Sequence, residues 1–202
     1  GAVFLSRFSG GAPERYVPYG PAREVQDWPS VNLMVRKSDF ISVGGFGVPY
    51  WPGEDTKLCL EILKAGKKII YAPEMVVWHH RRPGLGAHLK QVGAYGLHRG
   101  FFAKKFPETS FRPQYFVPSA FLLFTGATAA LPLMPVALTN VFFAGWVIYG
   151  FALLAALAGM TRHESFAVSI SALPYVFLTH LVYGARFLQG FAFTGELVSE
   201  LR

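Results

Sequence analysis

Residues 51–80, WPGEDTKLCLEILKAGKKIIYAPEMVVWHH, concentrate side chains that could do chemistry. Glu54 and Asp55 follow a glycine at the mouth of a helical pattern, and His79-His80 closes the extended run beyond it. Two readings of the acids compete. In the first turn of a helix, carboxylates stabilise the positive end of the dipole by roughly 0.3–1 kcal/mol each. Alternatively, a carboxylate beside a Gly-rich loop can be partly desolvated and aimed into a cleft, where it takes a proton from an attacking hydroxyl.

The histidines leave the same kind of choice. His79, His80, His88 and His98 lack the spacing of a structural zinc site, and Cys59 has no second cysteine to join it. Strand alternation lets only one of His79 and His80 face a given side. One of them could complete a metal site with carboxylates from elsewhere, or simply pack as an ordinary side chain. Arg81-Arg82, with Lys90 and Arg99, form a basic cluster. Guanidinium forks suit a diphosphate, and the same charge suits an anionic lipid surface. A lipid-linked diphosphate would satisfy both.

These side chains need elements to hold them. From Glu54, the stripe Leu58, Cys59, Ile62 and Leu63 predicts a helix stopped by Gly66, with Lys57, Glu61 and Lys64 facing outward. KKIIYA and EMVVWHH read as two short strands separated by Pro73. Upstream, SVNLMVR (30–36) alternates like a strand, and KSDFISVGGF reads as a short helix capped by Ser38 and ended by Gly44-Gly45. Residues 88–106 form a helix weakened by Gly93, Gly96 and Gly100. Residues 1–30 are rich in Gly, Pro and Arg and read as loop, with room for one short strand.

Composition divides the chain. Of the 202 residues 52% are apolar and only 15% charged, and the mean hydropathy is +0.33. Soluble domains carry about 25% charged residues, so part of this chain belongs in lipid. Residues 1–115 hold 16 of the 19 Lys and Arg and 9 of the 12 acids, which is the whole net charge of +7. Beyond them, 117–136, 137–158 and 165–183 are nearly uncharged runs of about 20 residues, enough to cross a bilayer. The third, with Pro174 and His180, could instead lie at the interface. Arg99, Lys104, Lys105 and Arg112 put the start of the first run on the cytoplasmic side. A single cysteine allows no intrachain disulfide and suits a reducing compartment. The pI near 9.6 comes without any nucleic-acid motif, so nucleic acid is not an expected partner.

NLMVRKSDFISVGGF, followed by GEDTKLCLEILKAGKKIIYAPEMVVWHH, resembles the C-terminal half of the catalytic domain of family 2 glycosyltransferases. The resemblance rests on a strand ending in Arg that leads to GGF, an E-D pair opening a helix, and an A-G-x-x-I-x-Y-x-P run ending in V-x-H. It covers residues 30 to about 106. Gln91–Gly96 and the apolar tail are similar to a membrane-bound subset of that family. The fold implied is α/β: half of a GT-A, Rossmann-like nucleotide-sugar transferase domain over 1–115, then an all-α membrane region over 116–202 with two or three transmembrane helices.

The resemblance implies a membrane-bound inverting transferase that moves a sugar from a nucleotide-diphosphate donor to a lipid-linked or cell-envelope acceptor. Asp55 would be the catalytic base and Glu54 the acid that contacts acceptor or orients it. His79 would help hold a divalent metal, Mg²⁺ or Mn²⁺. Arg36, Arg81, Arg82 and Gln91 would lie near diphosphate or acceptor. The catalytic part would face the cytoplasm beneath a multi-pass cell-membrane anchor.

Two departures qualify this. No D-x-D occurs in the chain, and it opens in mid-flow, so a donor-binding half upstream is expected to be missing and the isolated piece inactive. The Q-x-x-R-W of processive synthases is absent too, which favours single-sugar transfer. The competing reading is a non-catalytic membrane-anchored assembly module that keeps half of such a domain.

Overall fold

The computed structural model of the chain describes residues 1–46, 50, 52–80 and 83–197. Its N-terminal part is built around strands β1 (Arg23–Val25) and β2 (Ile69–Tyr71), paired antiparallel with Glu24 opposite Ile70. Helix α1 (Lys37–Ser42) and helix α2 (Glu54–Lys64) pack beside them. Leu58, Cys59, Ile62 and Ile69 form the buried centre, with Val25, Leu33, Val35 and Phe40 packed against it. The apolar stripe of α2 therefore does what its spacing predicts. Gly66, at φ +73°, ends the helix: its N–H donates to the Leu63 carbonyl and that of Lys67 to Ile62, the Schellman arrangement.

Two expected strands are not laddered. Residues 30–32 form a 3₁₀ turn and 33–36 run without a partner. Residues 75–80 are likewise unpaired, and Val76, Val77 and Trp78 are exposed. Alternation marks a chain that could pair; pairing also needs a neighbouring edge, and among the described residues the sheet has two strands. The side chain of Asn32 nevertheless ties the two segments together by donating to the Met75 carbonyl at 2.9 Å.

The rest is helical: α3 (Leu85–Lys105), α4 (Pro107–Ser110), α5 (Pro113–Thr128), α6 (Val136–Met160) and α7 (Phe166–Leu188), which continues as a π turn over Gln189–Phe193. The first apolar run thus yields a 16-residue helix and a break at 131–135, whereas α6 and the α7 stretch are long and apolar enough to cross a membrane. Helix α6 is apolar on every side, yet only Ala156 and Met160 are buried.

Helices α3 and α7 run in the same direction at very short range. A β-carbon on Gly96 would meet the Tyr183 carbonyl oxygen at 2.6 Å, and one on Gly93 would meet Val182 at 3.3 Å. Gly100 and Gly190 face the opposing backbone at Phe187 and Leu97. The glycines that lower helix propensity are the residues that let two backbones touch. The first residues also belong to this region: Ala2, Val3 and Phe4 are buried with Val92 of α3, Ala156 and Met160 of α6, and Ala172 and Val176 of α7. The opening stretch is packed, because its Ala-Val-Phe triplet finds apolar partners far away in sequence.

Candidate active site

Gly53 turns the chain into α2 at φ +142°. A β-carbon here would press on the Tyr50 carbonyl at 3.0 Å, with Phe102 and His98 of α3 at 3.3 and 3.4 Å, so the turn selects glycine. Its N–H donates to Glu54 Oε2 at 2.8 Å. Glu54 thereby satisfies a donor at the helix mouth, which is the capping role its position allows.

Asp55 is held differently. Its Oδ1 accepts from the Thr56 N–H at 2.7 Å and its Oδ2 from the Ser30 N–H at 3.2 Å. Both acids are half-buried. Two backbone donors orient the carboxylate while leaving it reachable. Beside Ser30 opens a cavity of about 320 Å³ whose lining includes Leu33, Val35, Lys37, Phe40 and Leu58. It is largely apolar and lies on the Asp55 side of α2, since Leu58 is one turn further along the same face.

The other expected site residues are more scattered. His79 and His80 are exposed on the unpaired 75–80 segment, and Arg36 is exposed at the start of α1. Gln91 is half-buried on α3 and donates to the Tyr95 hydroxyl at 2.9 Å. Arg81 and Arg82 lie outside the described residues. Among the described residues no group of three or more His, Cys, Asp or Glu side chains could hold a metal ion. The described residues by themselves therefore supply no complete ligand set for a divalent cation.

Arg99, a member of the expected basic cluster, forms a half-buried ion pair with Asp27, whose Oδ2 also lies 3.3 Å from Arg15. Asp27 Oδ1 accepts from the Thr56 hydroxyl at 3.1 Å, and Arg99 donates to Ser110 Oγ at 3.3 Å and covers the Tyr115 ring at 5.2 Å. Burial alone would raise the Asp27 pKa, but the charges of Arg99 and Arg15 and the bonds from Arg99 and Thr56 outweigh it and lower it to about 2. Arg99 shows the reverse: burial opposes its charge, and Asp27 more than restores it. Cys59 Sγ sits 3.7 Å from the Trp28 carbonyl; burial, helped by the charges of Asp27 and Asp55, pushes its thiol up to about 11. That is an inert packed cysteine. Sequence reasoning missed Asp27 entirely.

Residues 7–187 match the model of a protein family described as "Glycosyl transferase family group 2". The chain belongs to that family, whose members fit a GT-A fold. It is 30% identical over 95 residues to the "Pre-mycofactocin glycosyltransferase" of Mycobacterium tuberculosis strain CDC 1551 / Oshkosh, and equally to that of strain ATCC 25618 / H37Rv. The match covers 47% of this chain and 20% of theirs, so the chain spans about a fifth of the length of these curated relatives. No solved structure matches it.

Proposed function

We propose that the chain is the acceptor-side part of a membrane-bound inverting glycosyltransferase, with Asp55 as the base. The observation that carries this is the half-buried Asp55 carboxylate, oriented by two N–H donors at the mouth of α2 in a chain of the glycosyltransferase family. Asp55 takes the proton of an acceptor hydroxyl as that oxygen attacks the anomeric carbon in line. The bond to the nucleoside diphosphate breaks, and the configuration at the carbon inverts. Glu54 keeps the helix mouth in shape.

The apolar cavity beside Ser30 supports an acceptor with an apolar portion, in keeping with a lipid-linked substrate. The relatives' name makes a pre-mycofactocin a first acceptor to try. Membrane attachment is supported by α6, which is apolar all round yet buries only Ala156 and Met160. Such a helix is stable when lipid covers it.

The test is sugar transfer by a chain that includes the donor-binding half, with Asp55→Asn beside wild type. Losing the base lowers kcat on the order of 10²-fold or more. A variant that turns over at the wild-type rate removes the assignment.

A further inference from the structure

Of the two hydrogen bonds on the Asp55 carboxylate, one comes from a residue that Asp27 holds and the other from a residue three positions after Asp27. Thr56 gives its N–H to Asp55 Oδ1 and its hydroxyl to Asp27 Oδ1. Ser30, which gives its N–H to Oδ2, stands three residues after Asp27 on a segment pinned again by the Cys59–Trp28 contact. Asp27 in turn is gripped from α3 by Arg99 and from the N-terminal segment by Arg15. Arg99 is fixed through Ser110 and the Tyr115 ring.

We propose that Asp27 and Arg99 are positioning residues that set the orientation of the Asp55 carboxylate through Thr56 and Ser30. The proposal rests on the reading of Asp55 as the base. A buried ion pair is a poor choice for stability alone, because a well-packed apolar pair commonly does as well or better. An apolar pair cannot fix the direction of a hydroxyl and a chain turn at hydrogen-bond accuracy, and direction is what a base needs. Neither residue touches the reacting atoms. Their effect passes through the two donors.

The chain has three aspartates, Asp27, Asp39 and Asp55, so selective ¹³Cγ-Asp labelling in detergent micelles gives three carboxyl signals, assigned one by one with Asp→Asn variants. Thr56→Val cuts the link to α2 and leaves the ion pair intact. It is expected to move the Asp55 signal, leave Asp39 unmoved, and speed amide exchange at Ser30 and Thr56 by about tenfold or more. Arg99→Met does the same, and Arg99→Lys partly restores the wild-type signal. Where Arg99→Met leaves Asp27 with Arg15 alone and unfolds the protein, the joint Asp27→Leu, Arg99→Met variant removes both charges and gives the same readout.

Folded variants whose Asp55 signal and both amide rates match wild type overturn the positioning role. That failure is distinct from failure of the base: an Asp55→Asn enzyme with full transfer activity removes the base, whatever shifts the Thr56 and Arg99 variants produce at the Asp55 signal.

Discussion

Gly96 of α3 lies so close to Tyr183 of α7 that a β-carbon would stand 2.6 Å from the Tyr183 carbonyl oxygen. The neighbour is backbone, so it cannot rotate away. Gly96→Val is expected to force the helices apart and cost about 3 kcal/mol, as overpacking of a tight seam does. Thermal unfolding in detergent, followed by circular dichroism, checks this against Gly126→Ala. That glycine of α5 has open space around it, and alanine there should hold or raise stability by about 0.5–1 kcal/mol. Equal melting of the two variants contradicts a backbone-to-backbone seam.

Acid stability depends on Asp27. Its carboxyl falls from 3.8 to about 2 on folding, so the folded form prefers it ionised. The resulting stabilisation, on the order of 2 kcal/mol, is complete above the unfolded value and disappears as pH falls from about 4 towards 2. Urea unfolding at steps through that window should lose this increment in the wild type and not in Asp27→Asn. Above that window the variant is the weaker protein, because Arg99 loses its charged partner, and the two converge at its acid end. Parallel acid limbs in both proteins contradict the ion-pair account.

Cys59 gives a reporter for the small core. With a fully buried thiol raised to about 11, the chain's single cysteine should be almost inert to a disulfide reagent at pH 8 and react fully in denaturant. Cys59→Ala, which keeps the site apolar, should cost about 1 kcal/mol by the lost sulfur volume. Fast labelling of the native protein would contradict the packing of Trp28 over α2.

How much of this was legible in the sequence depended on range. Helix α2 was readable from its own residues, since the stripe from Leu58 to Leu63 and the stop at Gly66 are local signals. The glycines of α3 were visible, but propensity could only mark them as weaknesses; their use requires α7, roughly 90 residues further on. Alternation over 30–36 and 74–80 suits a strand, but 30–32 form a 3₁₀ turn and 33–36 and 75–80 join no ladder, because a ladder is a property of two segments. Glu54 and Asp55 could be placed at the helix mouth, whereas the donors that separate their roles come from Gly53 and from Ser30, 25 residues away. Asp27 gave no local signal at all: in VQDWPS it is one acid among turn residues, and its partner Arg99 lies 72 positions later.

Helix α3 presents its glycines to α7 and, on another side, His98, Arg99 and Phe102 to the turn and segment that hold Asp55. On the membrane-bound reading proposed above, this makes α3 a strut of fixed length between lipid and base. The carboxylate then stands at a set height from the bilayer and cannot be lowered to meet a substrate. An acceptor would be sorted by how far its hydroxyl reaches from the lipid plane, so that two molecules with the same sugar-accepting group but different stalks would be served unequally.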